Sequence, residues 1–223
     1  MRRLILPFVF GLAGAGVLLG LGIWQMQRLA WKTAILAEID ARVTTEPVPL
    51  PAAPEATRDR YLPVTASGQF TGESADVLVS RKLIGPGFRI IAVLQTSDGR
   101  RILVDRGFVR EDQRAAVQLL QGSVSVTGNL LWPDEVTPMT PPPDLDDNMW
   151  FARDVAALAR TLATEPVLIV ARADTGQGIE PMPVDTTGIP NDHLVYALTW
   201  FSLALVWLGM TAFWLSRISR ARG

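Results

Sequence analysis

His193 is the lone imidazole in 223 residues, and cysteine is absent. That combination excludes disulfides, thiol redox chemistry, thioether-linked haem and cysteine-ligated zinc or copper. A metal centre built on several histidines is impossible within one chain. A serine–histidine–acid triad needs its histidine among soluble groups, whereas His193 adjoins a long apolar run. No GxxxxGK[ST] loop is present, so nucleotide hydrolysis has no support. Gly176-Gln177-Gly178 lacks the strand–turn–helix context of a dinucleotide site and reads as a turn. Asp146 and Asp147 stand in an acidic, proline-rich stretch where they are most simply solvated, which gives little weight to hydrolysis by paired carboxylates. The expectation is a protein that is not an enzyme.

What remains is an aromatic, basic and imidazole set at two places far apart in the chain. Trp24, Arg28, Trp31 and Lys32 follow one apolar run, and His193, Tyr196 and Trp200 open another. Arg28 and Lys32 are one helical turn apart and can face one way. The aromatic residues suit the headgroup belt of a bilayer, and a lone interfacial histidine is more often structural than a ligand. The same set also suits haem, a flat apolar ring with a central iron and two carboxylates at one edge. A neutral imidazole ligates iron, aromatic side chains pack the ring, and Arg28 and Lys32 are placed to pair with the propionates. The candidate cofactor-binding residues are therefore His193, Trp200, Tyr196, Trp24, Arg28 and Lys32, with His193 the candidate metal ligand.

Two elements must position them. Residues 4–24 and 194–215 carry no charge, and every acidic residue lies between these runs. At ~1.5 Å rise per residue, a helix of about 20 residues crosses the roughly 30 Å hydrocarbon core of a bilayer. Arg2 and Arg3 precede the first run, and Arg217, Arg220 and Arg222 follow the second. Short basic ends stay cytoplasmic, which predicts two transmembrane helices with both termini cytoplasmic and the main domain periplasmic. Ala13-Gly14-Ala15 resembles a signal-peptidase site, but the apolar run continues through Trp24, so an uncleaved anchor is expected. The absence of an Arg/Ser-rich transit segment reads as a bacterial inner-membrane protein. The expected boundaries are 1–24 for the first helix, 25–193 for the domain, 194–215 for the second helix and 216–223 for the tail. The middle carries 16 of the 21 basic residues and all 22 acids, a net charge of 16 − 22 = −6, which argues against a nucleic-acid partner. Gly16-x-x-x-Gly20 permits close packing of the first helix on the second or on a partner helix.

The domain reads as β-rich α+β. Residues 61–70 and 123–130 alternate apolar and polar side chains, the habit of half-buried antiparallel strands. Residues 77–83, 88–96, 101–109 and 167–173 are further strand candidates. Asp98-Gly99 signals a tight hairpin, and Gly85-Pro86-Gly87 reads as a second turn. Helices are expected over 28–41, 112–120 and 154–162, the last with Asp154 as N-cap. Residues 47–54 are expected to be extended. Trp150 and Phe151 read as core aromatics, and Arg81 and Arg106 as salt-bridged or solvated strand residues. An antiparallel curved sheet or partial barrel is the expected closure, because an open sheet must solve its edges.

Five motifs, in order, resemble the Surfeit-locus-one family. They are Leu21-Gly22-Ile23-Trp24-Gln25-x-x-Arg28-Leu29-x-Trp31-Lys32, Leu78-Val79-x-Arg81 with Gly85-Pro86-Gly87-Phe88, Leu103-Val104-x-Arg106-Gly107-Phe108-Val109, Trp150-Phe151-x-Arg153-Asp154, and Asn191-x-His193-Leu194-x-Tyr196-Ala197-x-Thr199-Trp200-Phe201. The resemblance covers nearly the whole chain, with Arg110 where the family often has proline. It implies an assembly factor for haem-copper terminal oxidases. Bacterial members are implicated in handling haem a for the oxidase's large subunit, His193 would contact the haem, and a haem a synthase is a further expected partner beside the lipid bilayer. A cofactor-free scaffold or chaperone for oxidase subunits is the alternative reading.

Overall fold

A computed structural model describes residues 2–117, 123–187 and 189–220. The chain divides into two compact units, one of residues 1–38 with 186–223 and one of residues 39–185.

The first unit is a pair of helices. Helix α1 runs over Arg2–Val43, and α3 over His193–Arg220. Both are long and apolar enough to cross a membrane. At ~1.5 Å per residue, the 42 residues of α1 outrun a bilayer core, so the helix continues past the apolar run as the 28–41 periodicity predicts. The helices meet where α1 is small. A Cβ on Gly14 would lie 2.5 Å from the Trp207 ring, one on Gly22 would lie 2.4 Å from the Phe201 ring, and one on Gly11 would meet Thr211. Ala15, Ala197 and Ala204 are buried in the same seam, and Trp207 Nε1 donates to the Gly11 carbonyl at 2.9 Å. Gly16 and Gly20 have nothing within 4 Å. Close packing against α3 therefore uses Gly11, Gly14 and Gly22, and the Gly16–Gly20 pair faces away from it.

The second unit is a mixed sheet. Its strands are β1 (Val48–Pro49), β2 (Pro63–Arg81), β3 (Gly85–Thr96), β4 (Arg101–Arg110), β5 (Ser123–Leu130), β6 (Met149–Trp150) and β7 (Leu168–Ala171). The order is β1-β2-β3-β4-β7-β5, and β5 pairs again with β2. Five strands thus close on themselves and leave no free edge among them. Closure depends on the length of β2. Its first half pairs with β5 and its second half with β3, with an irregularity between Phe70 and Ser74 that bends the strand. The sheet is not antiparallel throughout as alternation suggested: β1 and β6 run parallel to β2, and β7 runs parallel to β4. Alternation reports which face is wet, not the direction of the neighbour.

Val64, Phe70, Leu94, Ile102, Val126 and Ile169 form one core cluster. On the other face, Val77, Ile91, Leu103 and Leu168 pack with Trp150 and with helix α2 (Val155–Thr161). Strands β3 and β4 are covered on both sides, which explains their continuous apolar runs. Asp154 Oδ1 accepts from the Ala157 N–H at 2.9 Å, the expected N-cap. Trp150 is core, as expected, whereas Phe151 is half-buried. The hairpin at Asp98-Gly99 forms, with Gly99 at φ 87°. Gly85-Pro86-Gly87 is not the turn: it pairs with Arg81, Ser80 and Val79 inside β2–β3, and the chain reverses at Lys82–Ile84. The helix expected over 112–120 is a 3-10 turn at Glu111–Ala116; residues 118–122 lie outside those described.

Candidate functional site

The helix pair holds the sequence-predicted residues. His193 is the first residue of α3, and its Nδ1 lies 2.7 Å from Gln25 Oε1 on α1, across 168 residues of chain. Lys32, two turns further along α1, donates to the Pro190 carbonyl just before α3. Trp200, two turns on from His193, is half-buried. His193 and Lys32 therefore bond across the two helices, and Trp200 falls on the same face of α3 as His193 and the buried Ala197 and Ala204. Trp24 and Tyr196 are instead 50% and 55% exposed. Arg28 is exposed and stacks on Trp31, its guanidinium carbon 4.4 Å from the ring centre. Two of the six candidates thus bond across the helices, Trp200 shares the face of His193, and Trp24, Arg28 and Tyr196 are exposed, as residues of a headgroup belt are.

Gln25 was not singled out by residue type, since an amide near a membrane boundary has many uses. Its helical phase was the available signal: Gln25, Leu29 and Lys32 follow the buried Gly22 at the spacing of one helix face. Asn191 adds a second polar feature. Its Oδ1 is buried and, among the described residues, accepts no hydrogen bond.

The sheet unit carries a buried ionic cluster. Asp105 is fully buried. Its Oδ2 accepts from Arg89 at 2.5 Å and from Arg153 at 3.1 Å, and its Oδ1 accepts from the Gly107 N–H at 3.1 Å. Arg153 also forks onto Glu135, and Arg89 donates to the Met182 carbonyl at 3.0 Å. Buried Arg89 and half-buried Arg153 thus face the buried Asp105, and Arg153 reaches outward to the exposed Glu135, which avoids an uncompensated interior charge. Burial opposes the charge of Arg153, but its hydrogen bond to Glu135 and the nearby Asp105 outweigh that and raise its pKa. For Arg89 burial prevails and lowers it. Burial likewise opposes ionisation of Glu135, yet the hydrogen bonds and charge of Arg153 hold its carboxyl below the ordinary range.

Arg81 pairs with Glu180 at 2.5 Å, as a wet-face arginine should. Arg106 departs from expectation, being fully buried without an ion pair among the described residues. Its guanidinium donates to Thr175 Oγ1 at 2.9 Å, to the Thr175 and Gly176 carbonyls and to Gln177 Oε1. It also stacks on Phe70 with 4.9 Å to the ring centre. The Gly176-Gln177-Gly178 turn is the cradle of this buried cation. Gly107 next to it is at φ 119°, with the Glu180 carbonyl where a Cβ would sit, so Phe108 and Glu180 exchange backbone hydrogen bonds at 2.7 and 2.9 Å.

In chain order, two helices apolar enough to cross a membrane precede and follow a closed mixed sheet, and the helix pair holds an imidazole between its members. Residues 12–205 match the SURF1 family. Surfeit locus protein 1 of Homo sapiens is 31% identical over 209 residues, covering 83% of this chain and 69% of that protein. The Rattus norvegicus protein of the same name is 30% identical over 207 residues, covering 82% and 67%. A SURF1-like protein of Rickettsia felis is 28% identical over 200 residues, covering 85% and 88%. The chain belongs to the SURF1 family.

Proposed function

We propose that this chain is an assembly factor for a haem-copper terminal oxidase that holds haem a as cargo at His193 and passes it to the oxidase's large subunit. The observation that carries the reading is the His193–Gln25 pair: with Nδ1 engaged by an amide oxygen, Nε2 is the nitrogen left with a lone pair. The unpaired acceptor of Asn191 beside it supports a ligand there. Trp200 supplies apolar surface on the same side. Arg28 is the more available cation for a propionate, because Lys32 already donates to Pro190. The protein needs no catalytic step of its own. Haem supplies the oxidase's redox centre only after transfer, so a single weak ligand that releases its cargo suits the task. In this reading both termini are cytoplasmic, the domain is periplasmic, and a haem a synthase supplies the cargo.

The test is coexpression with the haem a biosynthetic enzymes, then purification and a visible spectrum. The wild type should co-purify with haem a, and His193→Ala should lose most of it. Unchanged haem content and spectrum in that variant would remove the ligand assignment. A second reading, a cofactor-free scaffold, is favoured by Gly16 and Gly20, which leave a small-residue face of α1 unused by α3. A wild type that purifies colourless under the same coexpression would support it.

A further inference from the structure

We infer that Gln25 is the positioning residue for His193, fixing the tautomer and ring orientation that present Nε2 to iron; this rests on the haem reading above. The Gln25 amide oxygen at 2.7 Å can only accept. Nδ1 therefore carries the ring hydrogen and Nε2 the lone pair, the form a metal ligates. The bond is held from both sides. Lys32 to the Pro190 carbonyl ties the entry of α3 to α1, and the Phe201 ring of α3 packs against Gly22 of α1 on the other side. Ala197, one turn beyond His193, is fully buried in the same seam. An imidazole clamped this way loses little freedom on ligation. Removing such a supporting partner typically costs 10–100-fold in metal-site affinity.

The experiment titrates the full-length protein in detergent with iron protoporphyrin IX, reading the dissociation constant, the Soret band and the midpoint potential. His193→Ala, Gln25→Met and Gln25→Glu are compared with the wild type. Met matches Gln in size but offers no oxygen acceptor, whereas ionised Glu is an acceptor only. Gln25→Met is expected to weaken binding about 10–100-fold and to alter the Soret band. Gln25→Glu is expected to retain binding and to lower the midpoint potential, because a charged acceptor makes the imidazole a stronger donor. If His193→Ala abolishes binding while Gln25→Met matches the wild type, the positioning role is overturned and the ligand assignment stands. If Gln25→Glu fails as badly as Gln25→Met, the acceptor argument is overturned. If His193→Ala binds as the wild type does, the haem reading falls and this inference with it.

Discussion

An aspartate between two arginines in the middle of a sheet shows how a single residue organises its surroundings. Asp105 receives Arg89 from β3 and Arg153 from the segment before α2, and Arg153 in turn reaches Glu135. In the sequence these four residues are scattered through an apolar strand, a motif and a loop, with nothing in their spacing to link them. Arg106 departs from the strand pattern for a related reason. Strand alternation assigns a face to each position, but not whether that face looks onto water, and here both faces of β4 are covered. Glu135 contributes to the pH dependence of stability. Its folded-state pKa is lowered, so the unfolded chain binds its proton more readily. The stabilisation is therefore complete above the ordinary glutamate range, about pH 4.3, and drains away as pH falls through it toward the folded value. Glu73 and Glu180, hydrogen-bonded to Arg101 and Arg81, add the same sign. Melting temperature in detergent is expected to fall between roughly pH 5 and pH 3, with a shallower fall in Glu135→Gln; an equal slope in that variant would assign the effect to the other acids.

At the scale of elements, the glycines of α1 separate into two faces with different duties. The sequence pattern pointed to Gly16 and Gly20, since they have the spacing of close-packed membrane helices. Spacing alone carries no phase relative to a neighbour, and the face that meets α3 is instead set by Gly11, Gly14 and Gly22. Gly14→Val should displace the Trp207 ring and lower the melting temperature of the detergent-solubilised protein, at a cost in the 1–3 kcal/mol range of overpacking. Gly16→Val, in open space, should melt as the wild type does. Equal losses in both variants would mean that the exposed face is also packed. Strands were more legible than their pairing. Strand β5 was expected at its observed bounds, and the hairpin at Asp98-Gly99 formed where glycine permits positive φ. The glycine-proline-glycine segment extended into β3 instead, because Pro86 and its neighbours pair with β2.

For the molecule as a whole, charge and apolar length set the arrangement. The five basic residues of the two terminal tails, and all the acids between the runs, lead us to expect both termini in the cytoplasm. Reporter fusions at the N- and C-terminus should both give the cytoplasmic signal; opposite signals, or loss of the N-terminal reporter by cleavage, would overturn this topology. The proposed cargo site needs both helices, since His193 and Gln25 come from opposite ends of the chain. An N-terminal truncation would therefore remove half of it while leaving His193 in place.

Composition and periodicity alone determined the two apolar helices, the β-rich middle, the capped α2 and the short roster of groups able to bind anything. Those are local properties, written in runs, alternation and residue type. Only the tertiary structure decided that the strands close through both halves of β2, that β7 lies parallel to β4, that Arg106 is interior, and that Gln25 rather than a more obvious residue meets His193. Each of these depends on which distant segments become neighbours, and packing chooses that after local preference has been spent.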